Sequence, residues 1–344
     1  MSAAPPVNDP SGRSEGGSGA TFDLAAAASA EIGSGTKGLA SAYQELSDLY
    51  RGGGATPDDA RLTRRHVHAY LAARMPATLA VDRAVFDAIA LRRPDWEPRS
   101  LLDLGAGPGT ATWAAAEVFG SVERVACVEQ ASAMVEVGKS LARHSASQAV
   151  RAAAWHRESV AAPAVDKADL VVASFVVGEL ADDTLAETVA RWWDLTLAEL
   201  VVIEPGTPAG FARIRRVREQ LIAAGATITA PCPSDDACPM SGDDWCHFAA
   251  RVTRSGAHRV IKGGELGFED EKFSYVVASR QPPAHASARV LRAPQVRSGH
   301  IRFTVCEAPE MREAVVAKSQ KEAFRWARKA RWGDEVPPGT FRKK

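Results

Sequence analysis

Leu101-Leu-Asp103-Leu-Gly105-Ala-Gly107-Pro-Gly109-Thr110 decides how the rest of this chain reads. A short apolar strand, Ser100–Leu104, runs into a glycine loop and then into a helix over Ala111–Phe119. Gly105, Gly107 and Gly109 remove side chains where backbone must approach a ligand, and the helix N-terminus faces that ligand with free N–H groups. A G-x-G-x-G string alone is weak, because a glycine turn can also pack tightly and bind nothing. The strand–turn–helix context makes it considerably stronger. A second strand, Val122–Glu129, ends in Cys127-Val-Glu129, an acid 20 residues beyond Gly109. A carboxylate there is placed to accept hydrogen bonds from ribose hydroxyls.

Working outward, strands and helices alternate. A helix over Ala131–Arg143 precedes a strand at Asp169–Phe175, a helix at Asp183–Leu195, a strand at Leu200–Glu204 closed by Pro205-Gly206, and a helix over 211–225. Near-continuous apolar strands alternating with helices imply a parallel sheet covered on both faces. Upstream, residues 37–95 read as helical. Lys37–Arg51 has apolar residues at helical spacing; Thr56-Pro caps a helix carrying Arg61, Arg64, Arg65, His66 and His68; Pro76 ends it, and another helix runs over about 78–92. Downstream come a cysteine loop, strand-like stretches at Arg259–Lys262 and Phe273–Arg280, a β-rich segment over 285–307, and a basic helix over about 310–331. The expected fold is α/β: a Rossmann-like parallel sheet with an N-terminal helical region and a C-terminal extension that is β-rich and ends in a basic helix. Its divisions are 1–36, 37–95, 96–228 and 229–344.

Of 344 residues, 46% are hydrophobic, enough for one large or two modest cores. No apolar run reaches 18 residues, so no transmembrane helix is expected. The zero net charge hides an asymmetry. Residues 1–200 carry 18 Lys+Arg against 26 Asp+Glu, and residues 201–344 carry 24 against 16. A basic C-terminal part suggests a polyanionic partner, RNA first, against the alternative of a merely solvated surface. Residues 1–36, rich in Gly, Ser, Ala and Pro, are expected to be mostly disordered, with a short helix near Phe22–Ile32. Asp9, Glu15, Asp23 and Glu31 argue against a mitochondrial transit peptide, and no secretory pattern precedes them. A reducing cytoplasm is the simplest compartment for five cysteines in a chain this long. In a eukaryote the mitochondrial matrix would replace it.

Four of those cysteines lie in the C-terminal half. Cys232, Cys238 and Cys246 form a C-x5-C-x7-C run on a Pro/Gly/Asp-rich loop, and Cys306 comes much later. Unligated cysteines prefer buried apolar sites, so three in a polar loop point to a metal or an iron–sulfur cluster. Zinc sites usually pair cysteines at C-x2–4-C, which fits poorly here, but His247 and His258 are alternative zinc ligands. Spacing alone leaves zinc and a cluster even.

LLDLGAGPGT resembles motif I of class I S-adenosylmethionine (SAM) dependent methyltransferases. The resemblance implies that Asp103, Gly105, Gly107, Gly109 and Glu129 belong to a SAM site. After the strand at 169–175, base-amino methyltransferases usually carry Asp/Asn-Pro-Pro-aromatic; this chain has Ser174-Phe-Val-Val-Gly-Glu179. Cys127 reads as a core residue and not as a nucleophile, so no catalytic residue is evident. Glu179 and Glu204 are polar groups at the strand ends, or structural caps.

Further strings carry a closer resemblance: RMPAT at 74–78, LLDLGAGPGT-x-x-W, VIEPGTPAGF at 202–211, APCPSDDACPM at 230–240, DWCHF at 244–248, HR-x-x-K at 258–262, LGFEDEKFSY at 266–275 and WARKARWGD at 326–334. Together they resemble the methyltransferase-like small-ribosomal-subunit assembly family, the mitochondrial ribosome protein and its bacterial relatives, over about residues 40–335. The resemblance implies SAM binding, a [4Fe–4S] cluster on Cys232, Cys238, Cys246 and Cys306, and binding to small-subunit ribosomal RNA during assembly, with no membrane or DNA role. The expected phosphate-contacting residues are Arg251, Arg254, Arg259 and Lys262 after the third cysteine, and Lys318, Lys321, Arg325, Arg328, Lys329 and Arg331 near the C-terminus, with Trp326 and Trp332 available for base stacking. The alternatives are an active rRNA methyltransferase, or a small-molecule methyltransferase with a structural zinc.

Overall fold

The structure, a computed structural model, describes residues 24–33, 38–51, 62–254, 258, 261, 266–281, 286–307 and 309–341. Four helices lead: α1 (Leu24–Ile32), α2 (Leu39–Arg51), α3 (Arg64–Ala73) and α4 (Met75–Arg92). Apart from α1, the stretch expected to be disordered lies outside the described residues, as does Thr56-Pro57. Thr63 caps α3, its side chain reciprocating with His66. Pro76 sits in the first turn of α4, where its missing N–H costs no hydrogen bond, so it starts this helix and marks the break from α3.

The large sheet is built from β1 (Ser100–Leu104), β2 (Arg124–Val128), β3 (Ala154–His156), β4 (Ala168–Ser174), β5 (Thr196–Pro205), β6 (Thr227–Ala230), β7 (Phe248–Thr253) and β8 (Phe268–Ser279). Its order is β3-β2-β1-β4-β5-β8-β6. Strands β1 to β5 are parallel, and β8 runs antiparallel between β5 and β6. The first half of β8 extends further and pairs with β7. The connecting helices are α5 (Thr110–Val118), α6 (Ser132–Ala142), α7 (Gln148–Arg151), α8 (Leu185–Leu195) and α9 (Pro208–Ala223).

Both sheet faces are dry, and alternate residues of one strand enter different cores. Leu101, Leu170, Val172, Val201 and Ile203 pack with Phe86 and Ile89 of α4 and Trp113 of α5. Leu102, Leu104, Val171, Ala173, Leu200 and Val202 pack with Trp192 of α8 and Ile214, Val217 and Leu221 of α9. The two-residue period of a strand makes this division, and burial on both faces is why these strands read as continuous apolar runs.

A second, antiparallel sheet follows: β9 (Ala288–Val290), β10 (Gln295–Arg297), β11 (His300–Glu307), β12 (Glu310–Ala317) and β13 (Glu335–Val336), with α10 (Lys321–Ala327) against it. The expected basic helix over 310–331 is corrected here. Its first half is β12, where Ala314 and Val316 point inward while Met311, Glu313 and Val315 point outward, a period of two and not 3.6. Only seven residues of the expected helix are helical in α10. Trp326 stacks on Phe303 at 5.4 Å in the core of this sheet, and Trp332 meets the His247 ring at 4.8 Å, so neither ring is free to stack on bases. The strand expected at Arg259–Lys262 falls mostly outside the described residues; His258 and Ile261 are helical.

Candidate functional site

The glycine loop lies at the carboxyl ends of β1 and β4, beside a cleft of about 410 Å³. The Gly105 and Ala106 N–H groups donate to the Val128 carbonyl at 2.8 and 3.0 Å, which ties the loop to the end of β2. Gly105, Gly107 and Gly109 all have positive φ, +69°, +54° and +88°. A Cβ on Gly105 would stand 2.3 Å from Val176 Cγ2, whereas Gly107 faces open space. Glu129 completes the loop: Oε2 accepts from the Gly107 N–H at 2.9 Å and Oε1 from the Ala131 N–H at 2.8 Å. Two backbone donors thus fix the orientation of its carboxylate at the wall of the cleft.

Three of the five expected cofactor residues, Gly105, Gly107 and Glu129, line the cleft; Asp103 and Gly109 do not. Asp103 lies beneath the loop and accepts from the Thr112 N–H and hydroxyl at 3.0 and 2.8 Å, fastening the first turn of α5. Burial raises its carboxyl to about 6, against the pull of those bonds. Gly109 is the N-cap of α5 and abuts Trp155. Cys127 is fully buried in the core of β2, and its thiol is raised by that burial.

Glu179 and Glu204 also line the cleft. Glu204 accepts from the Gly178 N–H at 3.2 Å and pairs with Arg213 at 3.1 Å; burial nevertheless raises its carboxyl. Phe175, at the end of β4, has φ +59° on the cleft wall, a conformation costly for a non-glycine residue. The sequence gives no direct sign of a further wall of the cleft, lined by Tyr43 and Ser47 of α2, Tyr70 of α3 and Arg74 just after it. Both pairs stand four apart, the one signal that each shares a helix face.

The four C-terminal cysteines, far apart in sequence, line a single small cavity of about 50 Å³ between the two sheets. Cys232 follows β6, Cys238 lies on the loop, Cys246 precedes β7 and Cys306 lies on β11. All four are free thiols. Burial raises Cys246 well above the usual range, and the charges of the other three cysteines add to it. Cys306 is pushed up to about 12 by burial and by neighbouring Cys232 and Cys238. A positive metal centre is what converts such thiols to thiolates. Among the described residues no three or more His, Cys, Asp or Glu side chains are arranged to hold a metal ion. The alternative zinc ligands stand elsewhere: His247 lies between Trp245 and Trp332, and His258 pairs with Glu269 at 3.2 Å. Four thiols lining one cavity are a soft donor set of the kind that takes a metal or an iron–sulfur centre.

The expected phosphate-contacting residues divide. Arg251 forms a two-pronged pair with Asp270 at 2.8 and 3.0 Å, and Arg254 is held by Glu269 at 2.7 Å. Arg259 and Lys262 lie outside the described residues. Lys318, Lys321, Arg325, Arg328, Lys329 and Arg331 are all exposed, at the end of β12 and along and beyond α10.

Sheet order, glycine loop and acid at the end of β2 define a class I methyltransferase fold. The chain belongs to the Rsm22 family: the family model described as mitochondrial small ribosomal subunit Rsm22 matches residues 64–337. The human mitochondrial ribosome assembly protein METTL17 is 28% identical over 296 residues, covering 79% of this chain and 63% of that protein. Rsm22-cox11 tandem protein 2, mitochondrial, of Schizosaccharomyces pombe is 26% identical over 330 residues, covering 80% and 44%. The chain thus spans less than two thirds of the length of these relatives. Among solved structures, a magnesium protoporphyrin IX methyltransferase from Synechocystis PCC 6803 matches at 13% identity and a TM-score of 0.40, over 76% of this chain and all of that one.

Proposed function

We propose that this chain is a SAM-binding, [4Fe–4S]-bearing factor that binds small-subunit ribosomal RNA and assists assembly of the small ribosomal subunit. The observation that carries the reading is the meeting of Cys232, Cys238, Cys246 and Cys306 at one cavity, beneath the sheet whose outer elements bear six exposed cations. These cysteines would hold the cluster, which, when bound, cross-links the loop at 232–246 to β11. A cross-link between residues this distant in sequence opposes separation of the two sheets.

Gly105, Gly107 and Glu129 would take the nucleoside of SAM, and the cleft volume lies in the ordinary range for a small-molecule site. Lys318, Lys321, Arg325, Arg328, Lys329 and Arg331 would contact phosphates, a sequence-independent attraction suited to folded RNA. The Ser174-Phe175-Val176 segment lacks the base-methylation motif, and Glu204 is occupied by Arg213 and Gly178, so binding, and not methyl transfer, is the activity favoured. The fold class and the mitochondrial relatives suit a matrix protein in a eukaryote and a cytoplasmic one in a bacterium. Among the described residues no helix is long and apolar enough to cross a membrane.

Anaerobic purification followed by iron, sulfide and zinc analysis tests the cofactor. About four irons and four sulfides per chain, with a broad absorption near 400 nm, are expected; stoichiometric zinc without sulfide would remove the cluster. Binding to small-subunit rRNA with a steep salt dependence tests the partner. Transfer of labelled methyl from SAM to that RNA would replace the binding reading with a catalytic one.

A further inference from the structure

Two arginines lie buried beside the four thiols. Arg218 of α9 and Arg289 of β9 are 5% and 4% exposed, and both line the cysteine cavity. Each is anchored by carbonyls. Arg218 donates to the Ser234 and Asp236 carbonyls at 2.8 and 2.7 Å; Arg289 donates to Pro231 at 2.8 Å and Gly333 at 3.0 Å. None of those four acceptors carries a formal charge. Each guanidinium also keeps a buried nitrogen without a hydrogen-bond partner, Nε of Arg218 and Nη2 of Arg289. An always-charged group buried without a counter-ion, with a donor left over, is costly and needs a compensating anion.

The cavity supplies that anion only when its thiols are thiolates. A [4Fe–4S] core with two positive charges and four thiolate ligands carries two net negative charges, matching two guanidinium ions. Arg218 and Arg289 line the same cavity wall as Cys232 and the other three thiols. Their anchors also span the site, because Arg218 fixes the loop between Cys232 and Cys238 while Arg289 bridges from the second sheet to Pro231, next to Cys232.

We propose that Arg218 and Arg289 are charge-compensating, positioning residues for the cluster, whose two net negative charges they would neutralise. This rests on the cluster reading of the four cysteines. It also makes a distinct claim: each arginine sets the cluster's redox poise and its resistance to loss. Reduction adds one electron and one further negative charge, so removing a neighbouring cation disfavours the reduced form.

The test uses the full chain, purified anaerobically, as wild type and as Arg218→Met and Arg289→Met. Iron and sulfide are assayed first; their absence from the wild type defeats the cluster reading itself and with it this inference. With the wild-type cluster present, an EPR-monitored redox titration should show each Met variant shifted at least tenfold toward the oxidised form at a fixed potential, ~59 mV for one electron. Cluster loss in air should also be faster. Unchanged potential and unchanged loss rate in both variants would overturn the proposal with the cluster reading intact. Should the Met variants fail to hold a cluster, Arg218→Lys and Arg289→Lys decide: these keep the charge and lose the fixed fork. Clusters held at wild-type stoichiometry with a smaller shift support charge compensation; cluster loss in the Lys variants as well would show that the guanidinium only packs the loop, and would overturn it.

Discussion

The glycine-loop cleft and the cysteine cavity are built on opposite plans. The first centres on one short stretch, residues 101–131, and its key carboxylate accepts from the backbone N–H groups of Gly107 and Ala131. Donors within the loop itself supply these bonds. The second draws thiols from the ends of β6 and β7, from a loop and from β11, with guanidinium groups from α9 and β9. Its groups are individually unfavourable: buried thiols that resist ionisation, and buried cations with open donors. A pre-formed cleft should survive loss of its ligand, whereas a cavity of mutually uncompensated groups should depend on what fills it.

The sharpest way to break that comparison is Cys246→Ser. The cluster content should fall from about four irons per chain to near none. Hydrogen exchange over 286–341 and the loop at 232–246 should lose protection while residues 100–205 keep theirs; equal loss in both regions would show that they are not separable. Next in size, Glu129→Ala should weaken SAM binding about 10–100-fold by calorimetry, because it removes a charged acceptor and strands two backbone donors. Iron content should be unchanged.

Asp82 gives a third handle, in the core that supports the cleft. It is fully buried on α4, accepts from the Ser174 hydroxyl at 2.6 Å, and has Oδ2 unpaired. Burial raises its carboxyl from the ordinary 3.8 to about 8, with the nearby Asp103 charge adding to the rise. The native state thus holds a proton that the unfolded chain releases near pH 4. The stability this contributes is full below that pH and is lost as pH rises through about 8. Asp82→Asn should flatten the fall in urea midpoint between pH 4 and 8, each tenfold of displaced equilibrium being worth about 1.4 kcal/mol. An unchanged slope would place the proton elsewhere. The smallest expected effect is at the surface: Lys321→Ala with Arg325→Ala should lower the salt slope of RNA binding by about 0.7–0.9 per lost phosphate contact and leave iron content and SAM affinity unchanged.

Legibility in the sequence followed the same division. The parallel strands were readable because burial on both faces leaves unbroken apolar runs such as Leu170–Ala173 and Leu200–Ile203. β3, β6 and β7 were missed; two of them are only three and four residues long, and β7 alternates across a half-exposed pair. β12 was read as helix because its charged outer face hides two inward residues, Ala314 and Val316. Trp326 and Trp332 read in sequence as rings available for base stacking, or Trp326 as the docking residue of an amphipathic helix; Trp326 packs against Phe303.

The sequence by itself determined the strand–glycine loop–helix unit, the acid that closes it and the identity of the four cysteines, because each rests on local geometry or on side-chain chemistry. Only the tertiary structure decided that Asp103 supports the loop from beneath, that α2 and α3 line the cleft, and that Arg218 and Arg289 stand beside the thiols. Such facts depend on contacts between residues tens of positions apart, and long-range packing leaves no periodic trace in the chain that produces it.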